Sequence, residues 1–176
     1  MEYPDLAALP VELREAVQDH GSLNVFRMIM HSPGLAPGML ALSDAILGSN
    51  SLPDDLRELA IVRVGHAYGA AYEVHHHERA ARLVGVSERA LAAAADAASA
   101  GELTRAEAAV LVATDRLLDR HTLDGAPYDD LSEILTVNQL VDFVITVGFY
   151  QLVCGFLNTF KVAVEEETSP HDDGLR

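Results

Sequence analysis

RELAIVRVGHAYGAAYEVHHHERAARLVG, residues 57–85, decides how this chain folds. Apolar residues recur at helical spacing on both sides of Gly69, and the glycine separates them into two consecutive helices. The first is expected from about Pro53 to Tyr68 and the second from about Ala70 to Val84, with Gly85 just past its end. Glu58 falls on the first helix. Glu73 and His77 are four apart and share a face of the second. Two carboxylates and an imidazole on an otherwise apolar helical surface are the parts of an acid/base site.

Glu58 has Leu59, Ile61 and Val62 as neighbours. A half-buried carboxyl in such company is a better base near neutral pH, because desolvation disfavours its charged form. The plainer reading pairs Glu58 with Arg57 or Arg63 and makes Glu73–His77 an ordinary surface pair. Tyr72 and His76 form a second four-apart pair, displaced by about 100° around the helix. His75, His76 and His77 are consecutive and cannot all point one way, so a three-histidine metal face is geometrically poor. Glu58, Glu73 and His77 as carboxylate–imidazole–carboxylate ligands to Zn or Fe stay open as a lesser possibility, and no metal is expected.

Working outward, Pro10 opens a short helix to about Gln18, and a second runs from about Ser22 to Met30. A turn at His31–Gly34 leads to a third helix, about Ala36 to Leu47. Beyond Gly85, Ser87 caps an Ala-rich helix to about Ser99, broken by Gly101. Thr104 with Glu107, and Thr136 with Gln139, fit capping boxes that open helices to about Arg120 and Val164. A short helix is expected between them, about Asp129 to Leu135. No stretch reads as a strand. The chain is therefore expected to be all-α, a single domain over residues 1–165 of antiparallel helix pairs with an acidic tail at 166–176.

Composition removes several classes of function. The chain has 176 residues and a formal net charge of -15, with 12 basic residues of which only Lys161 is lysine. Nucleic acid and anionic membranes need clustered basic residues and are not expected partners. Cys154 is the single cysteine, so neither an internal disulfide nor a cysteine-rich metal site can form, and its apolar setting reads as a buried small hydrophobe. The run Leu140–Leu157 approaches the length of a membrane span, but it holds Asp142, Gln151 and two glycines and lacks flanking basic clusters. It reads as a central helix, apolar nearly all round, which needs cover from a second copy of the chain. The N-terminus shows no signal peptide, and a cytoplasmic location is expected.

The 57–85 stretch, with NVFRMIMHSPGLAPGMLALSDAIL before it and LVDFVITVGFYQLVCGFLNTF after it, resembles the carboxymuconolactone decarboxylase and alkylhydroperoxidase D-like superfamily over about residues 20–163. The redox branch carries a Glu, eleven residues, a Cys, two residues, a Cys, three residues and a His. Laid on this chain without a gap, these fall on Glu58, Ala70, Glu73 and His77. The proton-relay residues are kept and both sulfurs are absent, so the resemblance excludes dithiol peroxide reduction here: no thiolate attacks the peroxide. The decarboxylase branch, which works without cysteines, metal or organic cofactor, is the better match. It implies an all-helical fold, assembly as trimers or hexamers, and proton transfer at carbon beside a conjugated carbonyl with loss of carbon dioxide. The longer N-terminus and the three-histidine run depart from it, and the muconolactone substrate is not carried over.

The leading expectation is a cofactor-independent acid/base enzyme acting on a small carbonyl or lactone acid: a decarboxylase, isomerase or related lyase or cyclase. Glu58 is its expected general base, His77 the relay or general acid, and Glu73 the residue that orients His77 or exchanges protons with it. Tyr72 and His76 are expected to stabilise an enolate oxygen. Arg27 and His31 are expected to reach the same cavity, Arg27 to hold a substrate carboxylate. The alternatives are a non-catalytic ligand-binding or assembly subunit, indifferent to joint replacement of Glu58, Glu73 and His77 by Ala, and a metal-assisted enzyme.

Overall fold

The computed structural model describes residues 1–96 and 102–165, all helical or irregular, with no strand among them. After a 3-10 turn at Leu6–Ala8, the helices are α1 (Val11–Asp19), α2 (Asn24–Ile29), α3 (Ala36–Gly48), α4 (Asp54–Tyr68), α5 (Ala71–Leu83), α6 (Glu88–Ala95), α7 (Arg105–Arg120), α8 (Ala126–Ser132) and α9 (Val137–Phe160). The all-α expectation holds. The expected end of α6 at Ser99, the break at Gly101, the tail from 166 and His171 lie outside the described residues.

α4 is the axis of the fold, packed against α5, α6, α7 and α9. Residues Leu56–Val62, Val64 and Gly65 are all buried, so α4 has no solvent face to which Arg57 and Glu58 could turn. Asp54 and Asp55 sit in its first turn, where the helix dipole favours them. Gly69 ends it in the left-handed conformation, φ 60°, its N–H donating to Gly65 and His66 carbonyls; a residue without Cβ takes that geometry at no steric cost. The chain then reverses into α5. Gly65 makes the contact close: a Cβ there would stand 3.1 Å from Val74 Cγ2 and 3.6 Å from Glu73 Cβ. This approach sets Glu73 and His77 over Glu58.

Both expected capping boxes form, at Thr104/Glu107 and Thr136/Gln139. The largest differences from the expected boundaries are in α8 and α9. α8 begins earlier than expected, with Pro127 in its first turn, a position proline suits. α9 stops at Phe160 rather than near Val164, because Lys161 turns left-handed, φ 51°, and sends Val162–Glu165 back along the domain. α9 is long and apolar enough to cross a membrane, and half of its most apolar window is buried inside the fold. Phe143, Val147 and Cys154 face the core, whereas Val137, Val141, Val144, Ile145 and Leu152 are exposed. Asn158 donates to the Tyr68 carbonyl at 2.8 Å and ties the end of α9 to the end of α4. A separate N-terminal cluster of Val17, Ile29, Met30, Ala36 and Leu40 packs α1, α2 and α3 together.

Candidate active site

His77 lies between the two carboxylates. Its Nδ1 is 2.7 Å from Glu58 Oε2 and its Nε2 is 3.0 Å from Glu73 Oε1. Arg57 donates to Glu58 Oε1 through Nε and Nη2, both at 3.2 Å, and to Asp54 Oδ1 through Nη1 at 2.6 Å. Arg57, Glu58 and Glu73 are 6%, 2% and 4% exposed. A neutral imidazole has one N–H, while here both nitrogens face carboxylate oxygens, so the imidazolium satisfies the arrangement. Burial pushes the His77 pKa down, but the charge of Glu73 and the hydrogen bonds to Glu58 and Glu73 outweigh it and raise it to about 10. Guanidinium and imidazolium then balance two carboxylates, and the buried cluster is neutral overall. Glu73 Oε1 has no partner other than this ion pair with His77.

Glu73 and His77 open onto a cavity of about 210 Å³ enclosed by α2, α3, α5 and α9. Val25, Phe26 and Ile29 of α2 and Phe149, Val153 and Phe156 of α9 supply apolar walls. The Tyr150 ring stands edge-on to His77, 5.0 Å between centroids, and also lines the space. Among the described residues, no group of three or more His, Cys, Asp or Glu side chains is arranged to hold a metal.

A sequence model described as the carboxymuconolactone decarboxylase family matches residues 33–115, which contain α3–α6 and the whole Glu58–Glu73–His77 cluster. Over those residues the chain is similar to the carboxymuconolactone decarboxylase family. Solved structures share its fold. An alkylhydroperoxidase AhpD core, an uncharacterised peroxidase-related protein from Ralstonia eutropha, is 23% identical with TM-score 0.81, over 95% of this chain and 92% of that one. A protein of unknown function from Agrobacterium tumefaciens is 18% identical with TM-score 0.71, over 79% and 96%. The debrominase Bmp8, as a cysteine-to-alanine variant in complex with 2,3,4-tribromopyrrole, is 15% identical with TM-score 0.73, over 93% and 90%. No curated protein matches the chain in sequence.

Several expected roles need correction. Glu58 does not line the cavity; it sits behind His77 and holds it, so the carboxylate that faces a ligand is Glu73. Tyr72 and His76 do line the cavity, but their donors are spent. The Tyr72 hydroxyl donates to Glu165 Oε1 at 2.8 Å, and His76 Nε2 is 2.8 Å from Glu165 Oε2. They present ring faces and do not serve as enolate donors. Burial holds the Tyr72 hydroxyl well above its ordinary range and pulls His76 down despite Glu165. Arg27 and His31 do not reach the cavity. Arg27 donates to Asn24 Oδ1 at 3.0 Å and covers the Tyr3 ring, and His31 Nε2 is 2.9 Å from the Glu2 carbonyl oxygen. Both lie on the side of α2 and its turn that faces the N-terminal segment, whereas Phe26 and Ile29 face the cavity.

Glu165 is the residue that sequence reasoning missed. Besides Tyr72 and His76, it accepts from the Asn24 backbone N–H at 2.6 Å, so one carboxylate ties α2 to α5 across the cavity. Burial pushes its pKa up, but the Asn24 N–H and the Tyr72 hydroxyl outweigh this and lower it. His20 is a second residue that no local signal in the sequence marks. It lines the cavity, with Nδ1 2.6 Å from the Ala16 carbonyl oxygen and Nε2 2.8 Å from Asp44 Oδ1. Cys154 is buried and does not line the cavity; burial and Glu73 push its thiol far up, the opposite of an activated thiolate.

Proposed function

We propose that this chain is a cofactor-independent proton-transfer enzyme for a small, mostly apolar carbonyl or lactone compound, of the isomerase type. The observation that carries the reading is the buried Arg57–Glu58–His77–Glu73 chain, whose last carboxylate meets an apolar cavity. Glu73 is the general base. It takes a proton from carbon beside the carbonyl, and the electron pair moves into the conjugated system. The same carboxyl returns the proton to another carbon of the conjugated system, which completes an isomerisation with no net change in protons. His77 stays protonated, fixes Glu73 and lowers the cost of charge movement beside it. Glu58 and Arg57 position His77. Bmp8 shares the fold and holds a small flat halogenated ring in the complex with its cysteine-to-alanine variant; this supports a ring-sized apolar ligand. No cysteine lines the present cavity, so thiol chemistry does not transfer.

The test is hydrogen–deuterium exchange at carbon, followed by NMR in heavy water over a panel of cyclic ketones and lactones. Exchange catalysed by the wild type should fall by about 10²–10⁴-fold in Glu73→Gln with the circular dichroism spectrum unchanged. Exchange indifferent to Glu73 sinks the reading. We also propose that the exposed apolar face of α9 is covered by a second copy of the chain.

A further inference from the structure

The donors around the cavity are nearly all committed. His77 spends both nitrogens on Glu58 and Glu73, His20 on Ala16 and Asp44, and Tyr72 and His76 spend theirs on Glu165. Tyr150 is different. It is 3% exposed and lines the cavity beside His77, yet its hydroxyl has no hydrogen-bond partner among the described residues. The hydroxyl is not among the fully buried atoms left unpaired, so it is open to whatever fills the cavity and can donate to it. Burial and the nearby charges of Glu73 and Glu58 hold its pKa well above the ordinary range, so it stays a donor. Ser43 also lines the space, but from α3, whereas Tyr150 stands against the His77 ring.

Charge narrows the ligand further. No Arg or Lys lines the cavity among the described residues, whereas Glu73 and Asp44 do. A free carboxylate entering there would lose its water opposite two carboxylates with no free cation to pair with.

We infer that Tyr150 is a further catalytic residue, donating its hydroxyl proton in a hydrogen bond to the carbonyl oxygen while Glu73 takes the proton on carbon, and that the cavity therefore selects neutral cyclic ketones and lactones over free acids. The inference rests on the proposed function and assigns both the electrophile and the substrate class. Proton bookkeeping is simple: Glu73 gains the carbon-bound proton, and the enolate oxygen is stabilised by Tyr150 without taking its proton.

The experiment uses the intact protein with cyclohexanone, methylcyclohexane and cyclohexanecarboxylate as probes. Binding is measured by calorimetry, and the carbonyl stretch of bound cyclohexanone by difference infrared spectroscopy. Tyr150→Phe keeps the ring against His77 and removes only the hydroxyl. Wild type should bind cyclohexanone roughly three- to ten-fold more tightly than the variant does, with a lowered carbonyl frequency that reverts in Tyr150→Phe. Methylcyclohexane should bind both proteins equally, and cyclohexanecarboxylate should bind at least about ten-fold more weakly than the ketone. An unshifted carbonyl band, a carboxylate bound as well as the ketone, or no binding of any probe overturns the inference. These readouts do not depend on turnover. An intact carbonyl shift without carbon exchange removes Glu73 as base and leaves Tyr150 in place; exchange that Tyr150→Phe leaves unchanged removes Tyr150 alone.

Discussion

Replacing Glu58 by Gln keeps the shape of the buried cluster and removes one of its two negative charges. Arg57 retains Asp54 at 2.6 Å but loses its charged partner at 3.2 Å, and His77 is left with Glu73 alone. Breaking a buried, hydrogen-bonded charge pair by removing one member costs about 3–5 kcal/mol. The pH dependence is more specific than the magnitude. His77 is raised in the folded protein from 6.5 to about 10, so folding favours its protonated form. That stabilisation is fully present below 6.5 and is lost as pH rises through 10. A rise of this size corresponds to roughly 4–5 kcal/mol, shared between Glu73 and Glu58. In Glu58→Gln the His77 pKa should fall, and the stability gap to wild type should be widest near pH 6 and shrink toward pH 10. The chain has no Trp, so urea unfolding is followed by circular dichroism at several pH values, with the His77 ring titrated by NMR. A gap below about 1 kcal/mol near pH 6, well under the cost of an unpaired buried charge, refutes the reasoning. A gap that does not change with pH, or a wild-type His77 titrating near its ordinary value, refutes it equally.

Three further perturbations test the frame around the site. Gly65→Ala places a methyl 3.1 Å from Val74 Cγ2; it should push α5 off α4, cost about 1–3 kcal/mol in thermal unfolding, and lower the His77 pKa by loosening its grip on Glu58. Glu165→Ala strands the Asn24 N–H and the Tyr72 hydroxyl, at about 1–3 kcal/mol for each buried donor left unpaired, and should speed amide exchange in α2 and Tyr72 together. Because the pKa of Glu165 is lowered in the folded state, its contribution is present at neutral pH and lost as pH falls through the folded value, so wild type and Glu165→Ala should converge in acid. Val141→Asp with Ile145→Asp charges two exposed positions one turn apart on α9; light scattering should show a smaller species with unchanged helicity, and an unchanged mass would remove the assembly proposal.

What could be read from the sequence follows from how far each feature reaches along the chain. Gly69, the two capping boxes and the four-residue pairing of Glu73 with His77 are local, set by backbone geometry within a turn or two, and all appear in the structure. Glu58 could be placed beside His77 but not behind it, because that depends on how closely α5 approaches α4 at Gly65. Arg27 and His31 share α2 and its turn with cavity residues, and a six-residue helix carries too little apolar pattern to say which side faces in. Glu165 opens an acidic run and looks like tail, while its partners lie 141, 93 and 89 residues away; no local signal marks it. Tyr150 had only its place in an apolar run, and nothing there told an unsatisfied hydroxyl from a packed ring.

The replacement at position 73 explains why so much of the site survives without sulfur. In the register of the redox branch, His77 and Glu58 serve a thiol that would stand where Glu73 is, and the other thiol falls on Ala70, which is fully buried. A glutamate at 73 reaches His77 from one turn away and puts Oε1 within 3.0 Å of Nε2, so the imidazole keeps a partner of the same sign as a thiolate. The neighbouring charges can therefore stay as they are: Arg57 still offsets Glu58, and His77 still offsets the group at 73. What changes is the reactive atom. A carboxylate oxygen neither attacks peroxide nor forms a disulfide; the chemistry open to it is to take and return protons, the role proposed for Glu73.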